Sequence, residues 1–358
     1  MSLQETVNSP HSKWTEGTGP ETDIVISSRV RLARNISQYP FPHFLTKELA
    51  EEVIHAVRLA VSDPEFAKAA GKAELIELGE LTPLEREVLV DKHLVSPQHI
   101  EEPDGRAVVL NSDESLSIMV NEEDHLRIQC LLPGLQLREA WERATGIDDL
   151  LEKTLDFSYC ARRGYLTACP TNVGTGLRAS VMLHLPGLVM TNRIYQALQA
   201  IAQLGLTARG FYGEGTEALG NLFQVSNQIT LGQPEEEILK NLQAVAKQLI
   251  AQERVARELL FKEHRIYLVD RIARAVGILK YARVMTSEEA LRLLSDVRLG
   301  LDLGIAGGVE TKTLNELLML TRPAFLNKQA GRDMAPQERD TGRAAIIRKI
   351  LDSLKVDS

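Results

Sequence analysis

The sequence is poor in cysteine. Its 358 residues hold three, Cys130, Cys160 and Cys169, and no two form a CxxC pair. So sparse and odd a set excludes a disulfide framework and a cysteine-built zinc site, and fits free thiols in a reducing cytoplasm. Long apolar runs are missing as well; none approaches the roughly 20 residues of a membrane span. The opening residues, MSLQETVNSPHSKWTEGTG, have neither a basic start nor an apolar stretch, so no signal peptide is expected. Positive charge is not in excess: the net charge is −8, which argues against a nonspecific nucleic-acid binder. There is no internal repeat and no low-complexity tract. The usual nucleotide signatures are absent too: no GxxxxGK[ST], no GxGxxG between a strand and a helix, no HRD with DFG.

What is present is an ordinary soluble, globular composition, 44% hydrophobic and 25% charged, long enough for about two domains. Residues 1–22 are polar, with Pro10, Gly17, Gly19 and Pro20, and read as a mobile arm. Residues 23–34 alternate as a strand. A helix is expected over 46–71, capped by Thr46 with Glu48 in its first turn, and another over 82–95. Strand-like runs VVLN, SLSIMV and LRIQCLL follow, parted by Asn111-Ser112-Asp113 and by Asn121-Glu122-Glu123-Asp124. Helices are expected over 135–154 and 192–205, and strands over 206–211 and 222–231. Strands mixed with helices in this way make an α+β domain, expected to span 23–256. Beyond about 234 every pattern is helical: 235–263, 267–282, 287–301, 311–320 and 340–355. Residues 257–358 therefore read as an all-helical domain whose first helix crosses the boundary. In it Ile272, Val276 and Leu279 share one helix face, suited to packing within the domain.

The most informative stretch is Cys169-Pro170-Thr171-Asn172-Val173-Gly174-Thr175-Gly176-Leu177-Arg178-Ala179-Ser180-Val181. It sets a thiol, two glycines and an arginine in one loop, where a reactive sulfur and anion-binding donors can meet. Other arginines stand near turns and strand ends: Arg29, Arg31, Arg127 and Arg209. Arginine suits phosphate because its planar fork donates in parallel and stays charged. On composition alone each would be a surface ion-pairing residue, Cys169 a small buried hydrophobe, and Glu123 a solvated turn residue. Cys130, in an apolar run, reads as a core residue, and nothing requires Cys160 chemically.

Four blocks together resemble the phosphagen (guanidino) kinase family, which moves the γ-phosphoryl of ATP onto a guanidinium nitrogen. They are Ile26–Arg34, Val120–Ile128, the loop above, and Arg209-Gly210-Phe211-Tyr212-Gly213-Glu214-Gly215-Thr216-Glu217. The resemblance implies an antiparallel sheet flanked by helices. It implies that Arg29, Arg31, Arg127, Arg178 and Arg209 hold the ATP phosphates, within segments that also include Ser27, Ser28, Val30, Ala179, Ser180, Val181, Met182, Gly210, Phe211, Tyr212, Gly213 and Glu214. His93 would lie against the nucleotide, or be an ordinary surface histidine. Mg²⁺ would be held mainly by ATP oxygens and water, with no protein metal site. On the acceptor side Glu123 and Glu214 match the carboxylates that grip the guanidinium and take its proton, and Cys169 matches the thiolate beside it. The roles of Glu122, Asp124 and Glu217 stay open.

Small-molecule members of the family carry a helical domain before the catalytic one, and here the blocks begin near residue 23. The arrangement, with helices following instead, resembles the bacterial protein-arginine kinases. That resemblance implies arginine side chains of proteins as acceptors, marking for Clp-type degradation, an activator protein, a role in stress response and a homodimer. Arg339-Asp340-Thr341-Gly342-Arg343-Ala344 matches the RDxxRA pocket that binds phosphoarginine for allosteric activation; otherwise it is a charged helix start. A kinase for a free small guanidino compound and a noncatalytic phosphoarginine-binding adaptor are the alternatives.

Overall fold

Strand β1, Val25–Arg34, lies at the centre of an eight-stranded antiparallel sheet. The other strands are β2 (Ala73–Glu77), β3 (Ala107–Asn111), β4 (Leu116–Val120), β5 (Leu126–Pro133), β8 (Leu177–His184), β9 (Leu206–Gly210) and β10 (Leu222–Asn227), in the order β2-β3-β4-β5-β1-β8-β10-β9. A two-residue hairpin, β6 (Tyr159–Cys160) and β7 (Gly164–Tyr165), precedes β8. The computed structural model describes residues 3–210 and 218–356, with side chains from Thr6 onward.

Successive side chains of a strand point to opposite faces. Val30 and Leu32 of β1, Ile128 and Cys130 of β5, and Ala179 and Val181 of β8 enter one core, packed under α6 (Leu137–Glu152). The same core takes the apolar stripe of α2, Lys47–Val61, and of α3, Pro64–Ala70. Thr46 caps α2 as expected, but the helix foreseen over 46–71 breaks at Ser62-Asp63 because Pro64 opens a new helix capped by Asp63. The edge strand β2 is short and was not foreseen. On the other face lie α4 (Pro83–Asp91) and the short α5 (Pro97–Glu101). Helices α7 (Pro186–Met190) and α8 (Ile194–Gln203) complete this half of the chain.

Helix α9 runs unbroken from Glu235 to Glu263 into the C-terminal half. There follow α10 (Arg265–Tyr281), α11 (Ser287–Asp302), α12 (Thr311–Leu320), α13 (Pro323–Ala330) and α14 (Pro336–Ile350), with only a two-residue ladder of β11 (Ala306–Gly307) and β12 (Lys355–Val356) between them. Ile272, Val276 and Leu279 are buried in this half's own core, so internal packing accounts for that face of α10. Arg257 of α9 ties the halves together. It donates to Glu253 (2.7 Å), to Asp302 of α11 (3.0 Å) and to the His184 carbonyl at the end of β8 (3.3 Å).

The opening residues depart furthest from expectation. Residues 1–22 read as a mobile arm, yet Leu3–Asn8 form a helix, α1, and Trp14 is 0% exposed. The cause is Lys92, buried just past α4. Its ammonium donates to the carbonyls of Thr6, Ser9 and His11 (2.8, 3.1 and 3.0 Å) and pairs with buried Glu114 at 2.5 Å. A buried charge needs this full a set of acceptors, and satisfying it fixes the polar segment in place.

The buried titratable groups predict the acid response. Burial holds His99 and His125 down to about 4 and His93 down to about 3, and drives His184 well below its ordinary value. At pH 5 each would be protonated in the unfolded chain and neutral in the folded one, costing about 2 kcal/mol apiece. Burial acts oppositely on Asp91, Asp148 and Asp302, raising each to about 6. They recover about 1 kcal/mol apiece on the same descent. Burial also raises Glu114, Asp124 and Asp296. The histidine cost remains the larger, so denaturant-measured stability should fall from pH 7 to pH 5. A flat or rising profile would contradict these buried neutral rings.

Candidate active site

The arginines are gathered by strand register. In β1, Arg29 stands opposite Ser180 and Arg31 opposite Arg178 of β8; Ala33 stands opposite Arg127 of β5. On β9, Arg209 stands opposite Gln224, which stands opposite Met182. Cross-strand partners share a face, so all five arginines project from the face opposite the α6-covered core. The same parity divides the rest of the expected nucleotide segments. Ser27, Ser180 and Met182 share the arginine face, whereas the side chains of Ser28, Val30, Ala179 and Val181 are buried on the other. Ser28 there donates to the Gly134 carbonyl (2.8 Å) and accepts from the Gln136 amide. These four can meet a ligand on the arginine face only through their backbone.

Four of the five guanidinium groups lack a contact ion pair among the described residues. Among the described residues Arg29, Arg31, Arg178 and Arg209 form no ion pair, and Arg178 Nε is buried without a partner. Burial, then Arg178 and Arg127, depresses Arg29 to about 10. Burial, then Arg29, Arg127 and Arg178, pushes Arg31 well below its ordinary value. Arg178 is lowered by burial and then by Arg209 and Arg127. The groups remain protonated at neutral pH. Their mutual repulsion describes a site of concentrated positive potential that a polyanion would relieve.

Arg127 is different. It pairs with Glu122 at 2.7 Å and with Glu123 at 3.0 Å. Burial raises the Glu122 carboxyl, but Arg127 and the Ser96 hydroxyl lower it further, so it is held in the charged form. Glu123 keeps 42% of its side chain exposed and turns toward Cys169 across a cavity of about 210 Å³. That cavity is lined by Arg31, Arg127, Arg178, Glu123, Cys169 and Thr171 among others. An arginine-rich wall and an acidic, thiol-bearing wall therefore share one space. Cys169 Sγ lies 3.0 Å from the Thr171 hydroxyl at the start of a one-turn helix.

The thiol loop is held rigidly. Thr230 donates to the carbonyls of Thr171 and Val173 (2.9 and 2.8 Å), and accepts from the Thr175 amide (2.9 Å). Gly174 and Gly176 have φ of +114° and +65°, and a Cβ would fall 2.2 Å from the Thr230 carbonyl or 2.6 Å from that of Ala33, so only glycine fits. Arg34, on the core side, donates to the Thr175 carbonyl (2.9 Å), pairs with Asp148 (2.6 Å) and stacks on Tyr165 at 3.5 Å. Asp124, whose role was open, accepts from Asn35 Nδ2 (2.6 Å) and from the amide of Ala168 (2.7 Å). One carboxylate thus fastens the turn bearing Glu123 to the residue before Cys169. Its only sequence signal is an acid beside a matched glutamate.

His93 sits past the end of α4 with φ +62°. It lines a narrow cavity of about 10 Å³, room for about one water, with Ser27, Arg29, Ser180, Met182 and Trp14. Burial, then Arg29 and Arg322, keeps its ring neutral. The Trp14 ring lies 5.4 Å from it; that residue was hidden in the supposed arm. Gly210 ends β9, while Phe211, Tyr212, Gly213, Glu214 and Glu217 lie outside the described residues. Cys130 is a core thiol that burial raises to about 12. The described residues include no group of three or more His, Cys, Asp or Glu able to hold a metal ion.

The segment Arg339–Ala344 lies on α14 and lines none of the cavities around the arginines. Arg343 is buried, donating to the carbonyls of Thr321 (2.9 Å) and Met285 (2.7 Å) and pairing with Asp340 at 2.5 Å. Arg339 donates to the Met334 carbonyl, and Ala344 is core.

Known proteins match this frame along its length. Residues 52–256 match the family model of the ATP:guanido phosphotransferase C-terminal catalytic domain, and residues 265–358 match that of the protein-arginine kinase McsB C-terminal domain. A protein-arginine kinase of Pelotomaculum thermopropionicum is 58% identical over 99% of this chain and 100% of its own, and one of Desulforamulus reducens is 58% identical over 99% of each. Among solved structures, lombricine kinase aligns with a TM-score of 0.57 at 25% identity, covering 70% of this chain and 75% of its own. The duplicated taurocyamine kinase of Schistosoma mansoni, bound to transition-state analogue components, aligns with the same score and identity over 75% of this chain and 38% of its own. The expected α+β fold, an antiparallel sheet flanked by helices and followed by a helical C-terminal region, is the observed one. The chain is a kinase that belongs to the ATP:guanido phosphotransferase family, in its protein-arginine kinase branch.

Proposed function

We propose that the chain transfers the γ-phosphoryl of ATP to the guanidinium of arginine side chains in proteins. The observation that carries this is the shared cavity, in which Arg31, Arg127 and Arg178 face Glu123 and Cys169. ATP, as Mg-ATP, supplies the phosphoryl group, and the unpaired arginines fit its phosphates; Mg²⁺ is held mainly by ATP oxygens and water. Arg29, Arg31, Arg178 and Arg209 orient the triphosphate and stabilise charge as the terminal P–O bond breaks. The incoming guanidinium takes the place of Arg127 against Glu123, with Cys169 alongside. As the P–N bond forms, Glu123 accepts the proton released from nitrogen. Asp124 and Arg34 keep the two walls in register.

The acceptor is a side chain on a polypeptide. This reading draws on relatives that match the whole chain and carry the name protein-arginine kinase. In a test, purified protein with Mg-ATP and an arginine-rich protein yields phosphoarginine by mass spectrometry under non-acidic conditions, and free arginine competes weakly. Turnover of free arginine without protein labelling would refute it.

Replacement of Glu123 by glutamine should lower kcat by about a hundredfold while leaving ATP affinity within twofold. Cys169→Ala should also reduce turnover and spare nucleotide binding. Arg178→Ala should weaken both, because it removes a phosphate donor. Equal loss of ATP binding in all three variants would contradict this division of the cavity.

The second proposed site is Arg339, Asp340, Arg343 and Ala344, as a phosphoarginine pocket that activates the enzyme. A carboxylate for the guanidino part and arginines for the phosphoryl suit that ligand. A physical route to the nucleotide side supports it. Arg343 holds the Thr321 carbonyl, Arg322 pairs with Asp91 at 3.3 Å, and Asp91 precedes Lys92 and His93. Because Arg343 also joins α14 to α12, the cleaner variant is Arg339→Ala with Asp340→Asn. It should keep basal activity and lose the response to phosphoarginine; an unchanged activation curve would rule the pocket out. Homodimer formation, an activator protein, Clp-type degradation, stress response and a cytoplasmic location complete the proposal. For the dimer, Tyr267, Ile278 and Tyr281 form an exposed face of α10. No described helix is long and apolar enough to cross a membrane.

A further inference from the structure

A second, larger cavity opens from the acceptor side of the catalytic one. It measures about 690 Å³ against about 210 Å³. The two share Glu123, and Ala168 in the wall of the larger is the chain neighbour of Cys169 in the wall of the smaller. Part of the wall comes from the start of α2, including Lys47 and Ala50, and it adjoins the turn from Glu102 to Arg106 before β3, where Gly105 packs on Ala50. A polypeptide lying in this larger opening can bring an arginine side chain to Glu123, the residue both cavities share.

The floor is built for polar company. Asn121 is 5% exposed, with φ +59°, and donates to the carbonyls of Ala50 (3.1 Å) and Gly105 (2.9 Å). Its Oδ1 has no hydrogen-bond partner among the described residues. The charged groups lining the cleft are four carboxylates, Glu102, Asp104, Glu122 and Glu123, and two cations, Lys47 and Arg106. Glu122 and Glu123 are engaged by Arg127. Glu102 approaches Arg106 only at 3.8 Å, and exposed Asp104 has no ion pair among the described residues. The rim at Glu102 and Asp104 is therefore the uncommitted acidic part of the cleft.

We infer that this cleft holds the stretch of substrate polypeptide flanking the target arginine, in extended form, and that the Glu102–Asp104 rim selects a basic residue beside it. The inference rests on the protein-arginine reading above and adds where the polypeptide lies and which flanking charge it prefers. Rim charges act chiefly on encounter and specificity, so the effect belongs in relative kcat/KM rather than in the chemical step.

The test compares three substrates: an arginine peptide flanked by lysines, the same peptide flanked by aspartates, and a capped Gly-Arg-Gly too short to fill the cleft. The enzyme is taken as wild type and as Glu102→Lys with Asp104→Lys, two exposed positions whose replacement leaves the core untouched. Wild type should prefer the basic flank. In the variant the basic-to-acidic ratio of kcat/KM should fall by about tenfold, with Gly-Arg-Gly turnover and the KM for ATP unchanged. A ratio unchanged within twofold, or an equal loss on Gly-Arg-Gly, overturns the inference while leaving the kinase reading standing. Activity on free arginine with none on any peptide would overturn both.

Discussion

The structure depends on keeping like charges together. Arg31 and Arg178 stand directly opposite each other on adjacent strands, and Arg29 is two residues along the same face. Such pairs weaken a sheet, and among the described residues no carboxylate forms an ion pair with Arg29, Arg31 or Arg178; Glu122 and Glu123 act on Arg31 and Arg178 only from a distance. In the proposed role a polyanion reverses the sign of this arrangement, and the repulsion across the arginine face becomes binding energy as phosphates bind. Phosphoryl transfer leaves a protein little covalent work beyond positioning and charge stabilisation, and a rigid sheet supplies both.

The other face of the sheet makes that strain tolerable. Val30, Leu32, Ala179 and Val181 anchor β1 and β8 in the core, so the strands cannot splay to separate the arginines. The acidic wall is fixed from the same frame, by Asp124 reaching Ala168 and by Arg34 reaching Thr175. The arginine wall and the acidic wall are therefore fixed by different contacts of neighbouring strands.

Much of this was legible in the sequence, for physical reasons that are local. Thr46 caps a helix, Cys130 belongs to an apolar strand, and the thiol loop needs its glycines. The period of two along residues 27–31 and 178–182 holds a signal that the family resemblance overrode: Ser28, Val30, Ala179 and Val181, placed among the nucleotide segments, fall on the face opposite Arg29 and Arg178. Other features depend on partners far along the chain. Lys92 finds carbonyls some eighty residues earlier and so orders a segment whose composition reads as mobile. Asp124 acquires its role only because Ala168 folds beside it, forty-four residues on. Trp14 shows no pattern of its own, and meets His93 only in the folded chain.

The proposed role makes the arginine face a phosphate site before it is a nucleotide site. Thermal unfolding of the Cys169→Ala protein, with inorganic tripolyphosphate or adenosine added separately at low and high salt, tests it most directly. Tripolyphosphate should raise Tm by several degrees at low salt, with the gain shrinking as salt rises, and adenosine should add little. Stabilisation by adenosine with no response to tripolyphosphate would contradict the account.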